Sequence, residues 1–137
     1  MPRKKTENLD LLLALLMRIA SPLKSITVQT TDEMVFIRPE DIAFITTDEK
    51  RIVIHDLEGN KWARFDSLAA MERKLEKDPR FFRSHRSFLI NHFAVKSLYK
   101  GDAKGKVWKV KFHGAIQEEA MVSTLNLQEF KKLMELD

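Results

Sequence analysis

The 137-residue chain contains no cysteine, which excludes disulfide cross-links, thiolate metal sites and cysteine nucleophiles. Glycine is scarce: the four stand at positions 59, 101, 105 and 114, and none belongs to a phosphate-cradling loop. The four histidines, at 55, 85, 92 and 113, show neither HExxH nor HxH spacing. Neither a metal centre nor a cofactor is expected, and nothing pairs a nucleophile with a base, so the chain does not read as an enzyme. Long apolar runs are missing too. The longest, Leu9–Ala20, is broken by Asp10 and Arg18 and falls short of the roughly 20 residues that cross a bilayer. It also lacks the small-residue cleavage site of a secretion signal. A cytoplasmic protein with no membrane span is expected.

What is present is an ordinary apolar fraction, 44%, beside 32% charged residues, enough for one folded domain. The net charge is only +4, but it is unevenly placed. Between Pro79 and Gln117 stand nine basic residues and one acid, Asp102, whereas the rest of the chain has fifteen basic and nineteen acidic residues. One part is strongly cationic and the remainder anionic, which suits a polyanionic partner.

Two regions follow from the pattern. Residues 1–24 hold a short basic tail and a Leu-rich helix from about Glu7 to Ala20, ended near Pro22. Its apolar positions cover almost the whole circumference. Such a helix must pack on something: a second copy, a regulatory protein, its own domain or a membrane surface. Homodimerisation through Leu9–Ile19 is the first expectation. Residues 25–137 turn to period two. Hairpins are expected at Ile26–Ile37 and at Arg51–Phe65 around Gly59, with a strand at Asp41–Thr46 between them. Asp66 or Ser67 caps a helix to about Lys77, which Asp78-Pro79 stops. Further strands are expected at Phe81–Arg83, Ser87–Ile90, Val95–Tyr99, Lys106–Phe112 and Ala115–Val122. Leu127–Leu136 is a closing helix with Asn126 as its cap. This is a mainly β domain of about ten short strands with one central helix and one C-terminal helix.

The most distinctive run is Phe81-Phe82-Arg83-Ser84-His85-Arg86-Ser87-Phe88-Leu89-Ile90-Asn91-His92. It interleaves hydrogen-bond donors with apolar anchors, as a rigid β framework needs if it presents donors to an anion. Arginine offers a planar fork that matches phosphate or the guanine O6/N7 edge. Serine and asparagine add neutral contacts. Phe81, Phe82, Phe88 and Leu89 read as core, Asn91 as the holder of a turn, and Trp62 and Trp108 as packing. Lys100, Lys104 and Lys106 flank Gly101 and Gly105, either tracking phosphates or forming a solvated loop.

In this order the residues resemble the LytTR family of bacterial DNA-binding domains. That family carries an aromatic, Arg, a variable residue, His, a polar or basic residue, Ser, an apolar pair and Asn; here these are Phe82 to Asn91. Asp41-Ile42 with Phe44-Ile45, then Gly59, Ser67-Leu68 and Leu75, and finally Val122-Ser123 extend the likeness over about Ile26 to Met134. The resemblance implies an elongated β–β–β fold whose loops enter adjacent major grooves of double-stranded DNA. It implies three contact places: Lys50 and Arg51 after the third strand; His85 and Arg86, with Arg83 and Ser87 beside them; and the loop before the last helix, with Thr124 and Asn126. The family often has Arg straight after Val-Ser, where this chain has Thr124, and Asp48 and Glu49 place acid in the first loop. The function implied is sequence-specific transcription regulation. The alternative is a protein-interaction module or antagonist of the same fold with weak, unselective DNA binding. About 25 residues precede the first strand, too few for a phosphoacceptor receiver domain, so control is expected through the Leu-rich helix.

Overall fold

The computed structural model describes residues 8–13, 15–16 and 25–135. Among them are ten strands in three antiparallel sheets. In chain order the elements are β1 (Ile26–Gln29), β2 (Met34–Ile37), β3 (Ile42–Asp48), β4 (Arg51–Asp56), β5 (Lys61–Phe65), helix α1 (Leu68–Lys74), β6 (Phe81–His85), β7 (Phe88–Asn91), β8 (Val95–Lys100), β9 (Trp108–Phe112), β10 (Ala120–Val122) and helix α2 (Leu127–Met134). The central sheet has the order β5-β4-β3-β7-β6, the hairpin β1-β2 stands apart, and a third sheet has the order β10-β9-β8. The mainly β, three-layered architecture expected from the sequence is the one observed.

The layering explains the apolar pattern. In β3 the four residues Ile42 to Ile45 are all buried, which a strand covered on both faces requires. Ile45 faces a cluster with Ile26, Val28, Ile54, Met71 and Leu89, under the β1-β2 hairpin and α1. Phe44 faces the opposite way, into a cluster with Ile90, Val110, Phe112 and Phe130, under the third sheet and α2. Phe44 stacks on Phe112 with centroids 5.4 Å apart and on His55 at 4.2 Å. Burying one such side chain stabilises the fold by about 1.5–3 kcal/mol.

Local chemistry sets most element ends. Ser67, rather than Asp66, caps α1: its Oγ accepts from the Ala70 N–H at 3.1 Å. Gly59 takes φ 95° in the β4–β5 turn. Asn91 does hold a turn, its Oδ1 accepting from the Phe93 N–H at 3.1 Å while its Nδ2 donates to the Ile42 carbonyl. Several boundaries differ from the sequence reading, most strand ends by one or two residues. Helix α1 stops at Lys74 and α2 at Met134. The expected strand 115–122 is a strand only from Ala120, because the chain before it crosses the end of the β4–β5 hairpin. There the Ala115 N–H donates to the Leu57 carbonyl, Ile116 enters the core, and Glu118 pairs with Lys61 at 3.0 Å. Gly114 makes that crossing possible at φ 106°, since a Cβ would lie 2.4 Å from the Leu57 oxygen.

The backbone is helical over 8–13 and 15–16. The leucines there, 9, 11, 12, 13, 15 and 16, are 52–70% exposed. The remainder of the expected N-terminal helix lies outside the described residues. No helix among the described residues is long and apolar enough to cross a membrane.

Candidate nucleic-acid interface

Strand register brings three turns to one edge of the molecule. Asp48 pairs with Arg51 across the two-residue turn Glu49-Lys50. Thr46 pairs with Val53 on one side and Phe88 on the other. The start of β7 therefore lies beside the end of β3, and the β6–β7 turn at Arg86-Ser87 stands next to the β3–β4 turn. The Thr46 hydroxyl donates to the Ser87 carbonyl at 2.8 Å and ties the two together.

The third turn is attached through Ser84. The β6-β7 register shifts between Arg83 and His85, and the residue displaced is Ser84, whose side chain is fully buried. Its Oγ donates to the Met121 carbonyl at 2.7 Å. Its own carbonyl accepts from the Ser123 N–H at 2.8 Å and from Asn126 Nδ2 at 3.2 Å. Asn126 Nδ2 also reaches the Arg83 carbonyl at 3.3 Å. This bulge turns the strand away from its partner, as bulges do, and fastens the 123–126 loop alongside the β6–β7 turn. Asn126 stands at the N-cap position of α2, as the sequence reading has it, but its side chain makes no capping bond there and is spent on β6 instead.

Within the central turn the two arginines are used differently. Arg83 Nε donates to the His85 carbonyl at 3.0 Å, Nη2 to the Arg86 carbonyl at 2.6 Å, and Nη1 to Glu72 of α1 at 2.9 Å. Its fork holds the backbone of the turn. Arg86 is exposed and has no ion-pair partner among the described residues. A rigid turn thus carries a cation that can reach outward.

His85 is set by the same turn. Its Nδ1 accepts from the Ser87 N–H at 3.0 Å, so in the neutral ring the proton sits on Nε2. Burial, with the Arg86 and Arg83 charges adding to it, holds its pKa below the usual 6.5. The ring is neutral at pH 7, and its edge meets Phe88 at 5.7 Å. Nε2–H is left as a neutral donor, suited to guanine N7 or to a phosphate oxygen. Ser87 is half-buried, with both backbone groups engaged.

The first turn carries Lys50, exposed and without an ion pair among the described residues, and Arg51, held to Asp48 at 3.0 Å. The third carries Thr124, exposed, and Leu125, 93% exposed.

The family model of the LytTr DNA-binding domain matches residues 32–135. The chain belongs to the LytTR family. Residues 32–135 therefore form a DNA-binding domain. A solved LytTr DNA-binding domain from Bacillus cereus, described as that of a putative methyl-accepting/DNA response regulator, matches the fold with a TM-score of 0.66. It is 24% identical, and the match covers 82% of this chain and 98% of that one. No curated protein matches the chain.

On this LytTR edge the structure brings together Lys50, Arg51, Arg83, His85, Arg86, Ser87, Thr124 and Asn126, in three turns bound to one another. It also divides them. Arg86, Lys50, Thr124 and the Nε2 of His85 face outward or lie open, whereas Arg83 and Asn126 direct their donors into the turns. Ser84 is the residue that sequence reasoning passed over. Its one signal is a small polar residue between the Arg and His of the motif, and that signal acquires meaning only once the bulge is seen.

Proposed function

We propose that this LytTR chain is a bacterial, cytoplasmic transcription regulator that binds double-stranded DNA sequence-selectively, through turns of a β framework placed in adjacent major grooves. The observation that carries the reading is the central turn. Its backbone is held by two donors of Arg83, a third anchoring Arg83 to Glu72 of α1, while Arg86 stands exposed and unpaired among the described residues at the edge where three turns meet. Arg86 and the neutral Nε2–H of His85 supply base or phosphate contacts, and Lys50 adds charge from the neighbouring turn. Arg51, paired with Asp48, contributes less charge than Lys50. Arg83, Asn126 and Ser87 act as positioning residues for the turn. The remaining selectivity comes from DNA shape and bending.

Selection of bound duplexes from a random pool tests the function and yields the site. Arg86→Ala is then expected to weaken binding to the selected duplex by roughly 1–3 kcal/mol and to relax preference at one base position. Recovery of an unenriched pool would overturn the reading.

A second reading is favoured by Thr124 and the exposed leucines: an antagonist of the same fold that grips DNA weakly and acts by association with other chains. It predicts duplex binding that is micromolar or weaker and indifferent to sequence.

A further inference from the structure

We propose that the β8–β9 loop is a fourth nucleic-acid contact of this chain, in which Lys100, Lys104 and Lys106 hold backbone phosphates flanking the sequence read by the other three turns. The proposal rests on the DNA-binding reading above and extends its footprint.

Register places the loop. Trp108 pairs with Val122 on one side and with Lys100 on the other. Strand β10 ends at Val122, where the 123–126 loop begins, so β8 ends and β9 starts at that same edge. Residues 101–107 therefore project from the end of the molecule that carries Arg86 and Thr124. The 123–126 loop contains no charged residue and lies between the cationic turn at Arg86 and this one.

The loop is built so that its single acid turns inward. Asp102 Oδ1 accepts from the backbone N–H groups of Lys106 at 2.9 Å and Val107 at 3.1 Å. Gly105, at φ 68°, presents its carbonyl to the Trp108 indole N–H at 3.0 Å. One oxygen of the carboxylate is taken up by the backbone, while Lys100, Lys104 and Lys106 are exposed and make no ion pair among the described residues. Lys100 Nζ lies 5.8 Å from the centre of the Trp108 ring, and Lys131 of α2 approaches the same ring at 5.6 Å. Two ammonium groups thus meet at the Trp108 ring, beside a loop that exposes Lys104 and Lys106. Lysine is a mobile point charge without arginine's planar fork. It suits a phosphate track rather than base reading, and continuity with the DNA-binding edge selects duplex phosphate as the anion.

The test is equilibrium binding of the full chain and of Lys104→Gln/Lys106→Gln, followed by fluorescence anisotropy across a range of salt. The probes are a selected duplex and a scrambled duplex of equal length. The double variant is expected to bind both more weakly by the same factor, about five- to tenfold at low salt. Its plot of log K against log salt should be shallower by about 2, close to 0.9 for each phosphate no longer neutralised. A variant whose slope equals that of the wild type, or whose weakening is confined to the selected duplex, overturns this proposal alone. A wild-type chain that binds neither duplex overturns the DNA-binding reading and this one with it.

Discussion

At the scale of single residues, the edge depends on a side chain with one hydroxyl. Ser84 leaves the β6-β7 ladder and joins the central sheet to β10 through a donated hydrogen bond and to the 123–126 loop through two accepted ones. Ser84→Ala deletes the donor to the Met121 carbonyl and is expected to cost about 1 kcal/mol of stability. It should also weaken duplex binding, because the 123–126 loop is then tied less firmly to the central turn. Urea unfolding and duplex titration on the same sample check both effects. Arg86→Ala, by contrast, should leave the unfolding midpoint where it is, because its side chain is exposed and unpaired among the described residues. If Ser84→Ala unfolded and bound like the wild type, the bulge would not be holding the edge together. The contrast also shows where sequence reasoning stops. In the linear motif Arg86 reads as an anion donor and Arg83 as either a phosphate contact or a framework residue. Only the fold reveals that two of the Arg83 donors return to carbonyls within three residues of it.

Elements were legible where a strand or helix is defined by its own neighbours. Alternation located the β1-β2 hairpin and the β4–β5 hairpin with Gly59, and helical spacing placed Leu68, Met71 and Leu75 on one face after a cap at Asp66 or Ser67. What the sequence did not reveal was decided by distant partners. Residues 115–119 look like strand, but their hydrogen bond goes to Leu57 and their apolar residue to the core. Asn126 is the N-cap residue of α2, but its amide, rather than capping the helix, reaches carbonyls of Arg83 and Ser84. The β3–β4 turn offers a test at this scale. Its first residue, Glu49, has φ 57°, a value that costs a side-chain-bearing residue roughly 1–2 kcal/mol and glycine little. In two-residue turns with a positive φ at the first position, glycine is the usual occupant. Glu49→Gly is therefore expected to stabilise the chain by about 0.5 kcal/mol, after the extra freedom of unfolded glycine is subtracted. Glu49→Ala, which keeps its Cβ, should give no such gain. Thermal melts of the two variants decide it, and equal melting temperatures would show that the turn is unstrained.

At the scale of the whole molecule, the cationic edge and the exposed leucines are two surfaces with one consequence. Leucines 9, 11, 12, 13, 15 and 16 are all more than half exposed in a helical backbone, so their apolar area is not covered by the chain that carries them. Water disfavours so large a contiguous apolar surface, and a second copy is the simplest cover available. Leu9, Leu12 and Leu16 follow the i, i+3, i+7 spacing of a two-helix seam, and Ile19 continues it in the sequence. Pairing through this segment would join two DNA-binding domains, and binding of the second to the same duplex would become an intramolecular step. Light scattering of the full chain at micromolar concentration is then expected to give twice the 16.0 kDa chain mass. Leu12→Glu/Leu16→Glu should return it to one chain mass. Its melting temperature, measured where the wild type is diluted to monomer, should be unchanged, because these side chains lie exposed on their own domain. Affinity for a two-half-site duplex should fall by about a hundredfold, while affinity for a single half-site should hold. A wild-type chain that scatters as a monomer and binds one- and two-half-site duplexes equally would assign the leucines to a different protein and leave the edge to act alone.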